Sequence, residues 1–254
     1  MRPYPVSVQL YSVREAAKED FPATLKRIAE MGYAGVEFAG YHGMAPADLR
    51  KVLDELGLKA SSCHAGLPGE EELAAVTETD KALGFDLHVS AGPGFKRDVE
   101  DAAPILAAAE RLQKGAELLK SQGLRGGVHN HEFEFDREFD GKTPHQIMVE
   151  NCPDLLFQVD TYWVAVGGKD PAESILKLGA RCPSLHIKDG PIEKGTAMLP
   201  IGEGKMAWDP IFDAADQAGA VEWIVVELDR VDGDMFEALD RSVKFLLDKG
   251  YGRA

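Results

Sequence analysis

Short runs rich in β-branched and apolar residues recur along the chain at 6–11 (VSVQLY), 34–39 (AGVEFA), 58–64 (LKASSCH) and 85–91 (FDLHVSA). They continue at 124–131 (LRGGVHNH), 155–160 (LLFQVD), 184–188 (SLHIK) and 222–228 (EWIVVEL). Their length and residue types predict strands. The stretches between them space apolar residues three and four apart, as at Leu25, Ile28 and Ala29 or at Leu49, Val52, Leu53 and Leu56, which predicts amphipathic helices. Gly32, Gly57, Gly84, Gly123, Gly179 and Gly219 stand where these helices should end. Asp20 with Pro22, Pro46 with Asp48, and Asp170 with Pro171 supply capping and first-turn residues at helix starts.

Eight strand–helix units at intervals of roughly 30 residues predict an α/β chain closed into a (β/α)8 TIM barrel. The barrel would occupy 1–254 as a single domain. An open doubly wound sheet is the alternative. Against it, the first strand-to-helix turn (YSVREAAKEDF) lacks a glycine-rich phosphate loop, so neither a dinucleotide fingerprint nor a P-loop is present. The longest irregular stretch, 189–207 (DGPIEKGTAMLPIGEGKMA), follows the seventh strand. With Gly195, Gly202 and Gly204 it reads as a flexible loop that closes on a substrate.

Composition narrows the partners. The 28 Lys and Arg against 43 Asp and Glu leave a net charge of −15, which repels a polyanion, so nucleic acid is not expected to bind. No basic segment leads into an apolar core at the amino terminus, and no apolar run reaches about 18 residues, so neither secretion nor a membrane span is expected. Cys63, Cys152 and Cys182 are odd in number and far apart, which excludes a disulfide framework and a Cys-x-x-Cys zinc site and suggests a reducing cytoplasm.

In a barrel, chemistry collects where strands end. Five of the seven histidines, His64, His88, His129, His131 and His186, fall in the last residues of predicted strands, as do Glu37, Asp160, Lys188 and Glu227. Any one of them reads equally well as a solvated strand end; the set does not. Residues two apart share a strand face, which pairs His129 with His131, Gln158 with Asp160, His186 with Lys188, and Glu227 with Asp229. A ring of His129, Asp160, His186 and Glu227 would therefore point two imidazoles and two carboxylates at the barrel axis, a divalent-metal set; the alternative is a metal-free acid/base cluster.

GVEFAG, GVHNHEFEF, FQVDTYW, LHIKDG, IGEGKMAWDPIF and VVELD, in this order, resemble the sugar-phosphate isomerase/epimerase family with the xylose isomerase-like barrel. Ketose 3-epimerases, inosose dehydratase and isomerase, and enzymes of 3-keto-glycosides belong to that family. The resemblance covers essentially the whole chain. It implies one divalent ion, manganese by preference with cobalt, iron, zinc or magnesium as alternatives, held by a Glu, Asp, His, Glu set. Asp160, His186 and Glu227 match the last three. His129 of HNH stands at the first position, and either it or His131 is the ligand. A homodimer is a family expectation.

The remaining residues take roles around this centre. Glu227 is ligand and base, Lys188 holds a sugar oxygen or polarises a carbonyl, and His131 and Glu134 are acid/base candidates. Gln9, Glu37, His64 and Trp163 are expected on the substrate side, with Glu37→Ala leaving metal affinity nearly constant. Cys63 reads as a packed small side chain. Together these imply a metal-dependent sugar isomerase/epimerase acting through an enediolate, or a keto-sugar or inosose dehydratase (a lyase) using the same site. Because only one of the two glutamates of the 3-epimerases is present, symmetrical two-base epimerisation is disfavoured. An endonuclease IV-type repair enzyme and a non-catalytic sugar-binding barrel are the remoter alternatives.

Overall fold

All eight apolar runs form parallel strands in the computed structural model, which describes residues 3–253. They are β1 (Tyr4–Gln9), β2 (Gly35–Phe38), β3 (Lys59–His64), β4 (Leu87–Ser90), β5 (Arg125–His129), β6 (Leu156–Asp160), β7 (Ser184–Ile187) and β8 (Trp223–Val226). Each pairs with the next in sequence, and β8 returns to β1 through Val6–Ile224, Ser7–Val225 and Val8–Val226. That last ladder closes the sheet and excludes the open alternative. A two-residue strand, Gly252–Arg253, adds to the start of β1 outside the barrel.

Helices cover the barrel, and their ends follow the predicted chemistry. The helix Phe21–Glu30 begins at Asp20, whose carboxylate accepts from Ala23 N, with Pro22 in the first turn. Pro46–Leu56 and Trp208–Ala218 end at Gly57 (φ 70°) and Gly219 (φ 71°), left-handed positions that a side chain would strain. Outward residues such as Phe38, Val159, Leu185 and Ile224 are buried against this helical layer. The interior is unusual for such a barrel, because Ser7, Gln9, Glu37, Ser62, Gln158 and Ser184 fill much of it and all are buried. Burial of so many polar groups is tolerated only where they satisfy one another, and they do so beneath the candidate site.

Two run ends turn out of regular strand in ways that shape the site. Gln9 Oε1 accepts from Tyr11 N at 3.0 Å, which turns Leu10–Val13 into a 3-10 helix and leaves Tyr11 46% exposed at the barrel mouth. The fifth strand stops at His129 because Asn130 crosses to β6, accepting from Asp160 N at 2.9 Å and donating to Asp160 O at 3.3 Å. At the second strand, a Cβ on Gly35 would meet Lys59 O at 2.6 Å and the Trp223 ring at 3.0 Å. Gly35→Ala is therefore expected to cost about 1–3 kcal/mol by overpacking, read as a lower urea midpoint with an unchanged slope.

Candidate active site

The site is built upward from a charged floor. Glu37 is fully buried on β2. Its Oε1 accepts from Gln9 Nε2 at 2.6 Å and lies 2.6 Å from His186 Nε2, while Oε2 accepts from Ser62 Oγ at 2.5 Å and Gln158 Nε2 at 2.6 Å. Burial alone would push this carboxyl up, but the His64 and His186 imidazoles and these hydrogen bonds hold it at about 2. Sequence reasoning put Gln9 and Glu37 on the substrate side. The structure places both beneath it, fully buried and engaged by other side chains.

Above the floor, His129, Asp160, His186 and Glu227 each offer one donor atom, and the four atoms lie within 4.8 Å of one another. His129 Nε2 is 3.6 Å from Asp160 Oδ2, and His186 Nδ1 is 3.0 Å from Glu227 Oε2. Ligand atoms about 2.1 Å from one ion stand roughly 3–4 Å apart, so the spacing fits a divalent metal. The surroundings aim the donors. Gln158 Oε1 is 3.3 Å from His129 Nδ1, and Glu37 holds His186 Nε2, leaving the opposite nitrogens turned to the ring. Asp160 Oδ1 caps the following helix by accepting from Trp163 N at 2.8 Å, whereas Oδ2 is buried without a hydrogen-bond partner. Burial pushes the Asp160 carboxyl up to about 6 despite the Lys188 ammonium. A buried carboxylate oxygen that accepts no hydrogen bond, with only the Lys188 ammonium 3.3 Å away, within a mixed N and O set is a fitting ligand for a hard-to-intermediate cation. His64 forms a second group with His129 and His186, but its Nε2 is already held 2.6 Å from Gln158 Oε1.

A cavity of about 510 Å³ opens over this ring, and His64, His131, Trp163, Lys188 and Glu227 all reach its wall. Lys188, 1% exposed, sets its ammonium 2.8 Å from Glu227 Oε2, 3.0 Å from Asp229 Oδ1 and 3.3 Å from Asp160 Oδ2. Burial works against its charge, but the carboxylates, Glu227 first, outweigh burial and raise its pKa. His131 lies outside the four-residue ring, stacked on Phe133 and tilted against Trp163. Burial, with Lys188 adding to it, lowers His131 to about 4.

Glu134 does not reach the cavity. It is fully buried and accepts from His131 N at 2.7 Å as half of a capping box, and burial pushes it up to about 8. His88 leaves the cluster too. It points from β4 into the helical layer, where Nδ1 lies 2.8 Å from Asp80 Oδ2 and 3.3 Å from the buried Cys63 Sγ. Sequence reasoning missed the crossing Asn130, for which HNH was the signal, and Arg97 at the cavity wall, which no motif marks.

The loop after β7 is tied down more firmly than its glycines suggest. Asp189 is fully buried and accepts from Gly190 N at 2.8 Å, Gly202 N at 2.8 Å, Met206 N at 3.2 Å and Trp208 Nε1 at 3.2 Å. Met198 N donates to Arg230 O at 2.8 Å. Any closing motion is thus confined to the tip near 192–196. Hydrogen exchange is expected to be slow at Gly202 and Met206 and fast at the tip, and saturating substrate should slow only the tip.

A parallel barrel with a His, Asp and Glu ring at the carboxyl ends of its later strands defines a class of metal-type barrels. Residues 25–249 match the xylose isomerase-like TIM barrel family, and the chain belongs to it. It is 25% identical over 279 residues to an inosose dehydratase of Lacticaseibacillus casei, covering 91% of each. A sugar phosphate isomerase/epimerase from Parabacteroides distasonis superposes with a TM-score of 0.80 at 25% identity, over 97% of this chain and 94% of the other. The IOLI protein, solved with a binding zinc atom, superposes at 0.76 with 15% identity over 96% and 97% of the two chains. The chain is an enzyme of this family. Among the described residues no helix is long and apolar enough to cross a membrane.

Proposed function

We propose that the chain is a divalent-metal-dependent enzyme that removes the proton α to a carbonyl of a keto-sugar or inosose and expels a β-hydroxyl as water. The observation that carries this is the convergence of His129, Asp160, His186 and Glu227 on one point, with Asp160 Oδ2 buried there beside Lys188 but without a hydrogen bond. When bound, the metal would supply Lewis-acid stabilisation of negative charge on the carbonyl oxygen. Its identity is left open by the donor set; manganese, cobalt, iron and zinc all suit it.

The chain's own groups divide the remaining work. Glu227 Oε2 is occupied by Lys188 Nζ and lies beside His186 Nδ1, which leaves Oε1 to take the α-proton. The Lys188 ammonium holds a substrate oxygen beside the ring and offsets charge that develops there. As the β C–O bond breaks, the electron pair left by the proton forms the new C=C bond, and Glu227 passes its proton to the departing hydroxyl on the same face. His131, a neutral imidazole at pH 7, orients that hydroxyl as a hydrogen-bond donor. Trp163 packs against the sugar ring.

Isomerisation or epimerisation is the second reading, favoured by the overlap with the Parabacteroides distasonis enzyme. Glu227 is the one carboxylate of the ring at the wall, where Asp229 is paired with Lys188, and an imidazole stands in the ring where the 3-epimerases carry a second glutamate; this favours elimination. Incubation of the manganese-loaded protein with a panel of inososes and ketoses in D2O tests it. A dehydrated product is expected. Deuterium entering with inversion at C3, and no dehydrated product, would overturn elimination and establish the second reading.

A further inference from the structure

At the outer rim of the cavity, two cations share one carboxylate. Glu132 is 3% exposed, and its Oε1 meets both an Arg97 guanidinium N–H and Lys194 Nζ, the latter at 2.7 Å. Arg97 comes from the segment between β4 and the helix Ala103–Ser121, Glu132 from the turn after β5, and Lys194 from the tip of the loop after β7. Three separate connections thus converge on one spot. Arg97 Cζ lies over the Phe133 ring, 4.7 Å from its centroid, a cation–π contact that helps hold the side chain in place. Among the described residues only Nη1 of Arg97 has a protein acceptor, its side chain is 47% exposed, and it forms part of the cavity wall with His131 and Trp163. Lys194 is 59% exposed.

We propose that this rim is an anion subsite, and that the substrate carries a carboxylate or a phosphate at the end of the molecule remote from the reacting carbons. The inference rests on the reading of the cavity as the substrate site. Two cations meet a single buried carboxylate here, while the other carboxylates of the cavity wall, Glu227 and Asp229, are engaged by Lys188. A forked guanidinium set over an aromatic ring, with N–H groups still free, suits an oxyanion with two acceptor oxygens. A neutral hydroxyl would use one of those donors and none of the charge. The cavity, at about 510 Å³, has room for a sugar with an added anionic group between the ring of Asp160 and Arg97. A purely structural rim contact accounts for the Arg97–Glu132 pair, but it gives no reason for Lys194 to approach the same oxygen or for the guanidinium to face the cavity.

The test uses binding, so it is independent of whether the proposed elimination occurs. Ribitol, ribonate and ribitol 5-phosphate are titrated calorimetrically into the metal-loaded protein. At least one of the two anions is expected to bind about tenfold or more tightly than ribitol, and the arm that shows the gain identifies the group. Arg97→Gln should remove that gain while ribitol affinity and the thermal midpoint stay unchanged, and Lys194→Gln should reduce it in part. Equal affinity for all three probes would overturn the subsite. So would an anion preference that survives in Arg97→Gln, because it would place the anion on the metal. A preference lost in Arg97→Gln with no turnover of any keto-sugar would uphold the subsite and defeat the elimination reading alone.

Discussion

Asp160→Asn is expected to abolish stoichiometric binding of the divalent ion and to lower kcat/KM by about 10³-fold or more, which corresponds to roughly 4 kcal/mol of lost transition-state stabilisation. Asparagine is a sharper test than alanine. Asp160 has two separable tasks, since Oδ1 caps the helix Thr161–Val166 through Trp163 N and Oδ2 faces the ring. The amide keeps an oxygen for the cap and removes the charge from the ring. Alanine removes both, and loss of an N-cap alone costs about 1 kcal/mol, so a fall in activity could be misread as misfolding. Metal content after gel filtration and the thermal midpoint separate the two: content should fall to near zero while the midpoint of the ion-free protein shifts little. Chelation of the wild-type protein should reproduce the effect, and re-addition of manganese should reverse it. Full activity with less than about a tenth of the sites filled would defeat metal dependence altogether.

The fold was legible because each of its signals is local. All eight apolar runs became strands, and Gly57, Gly84 and Gly219 end helices as left-handed caps. A closed ring of consecutive parallel strands is what so regular an alternation allows. The metal-type ring was legible for a related reason, since strand periodicity fixes which of two adjacent residues faces inward, and Asp160 and His186 are directly paired across β6 and β7. What the period could not supply was depth. His64, Glu37 and Gln9 all lie at strand ends by sequence, but Glu37 and Gln9 sit one layer below His186, because the tilt of barrel strands carries equivalent positions to different heights. Nor could periodicity follow the chain once a strand stopped. The apolar run carries β5 on to His131, whereas Asn130 diverts the backbone, His131 opens a new turn, and Glu134, a candidate if the chain turned back over the site, is consumed in capping that turn. His88 illustrates the remaining ambiguity: a histidine near a strand end can face outward, and this one is held there by Asp80, eight residues earlier on a helix, together with Cys63 and Gly66 O. The rim cations depend on connections between strands, where side-chain positions follow from the folded loops and leave no repeat to read.

The burial of Glu37 reverses the sequence expectation for this residue, and the reversal has a measurable consequence. Glu37 accepts at both oxygens: His186 Nε2 and Gln9 Nε2 approach Oε1, and Ser62 Oγ and Gln158 Nε2 approach Oε2. A carboxylate can accept all four. In Glu37→Gln, whichever way the amide turns, its NH2 group faces two donors, so buried N–H or O–H groups lose their acceptor at a cost of about 2–4 kcal/mol. The same change acts on the ring. A carboxylate at Nε2 keeps the proton on that nitrogen and makes Nδ1 the more basic donor; burial disfavours a charged His186, but Glu37 and Glu227 together raise its pKa to about 10. An amide N–H at Nε2 would instead move the proton to Nδ1 and turn a donor hydrogen toward Glu227. Metal affinity is therefore expected to fall by about 10- to 100-fold, the usual effect of removing such an outer contact. Competition against a chelator of known affinity gives the dissociation constant, and urea denaturation of the ion-free protein gives the stability loss independently. Glu37→Asp, which keeps the charge but retracts it, should show a smaller loss of affinity than Glu37→Gln. An affinity within twofold of wild type in Glu37→Gln would show that His186 needs no carboxylate behind it to hold the ion.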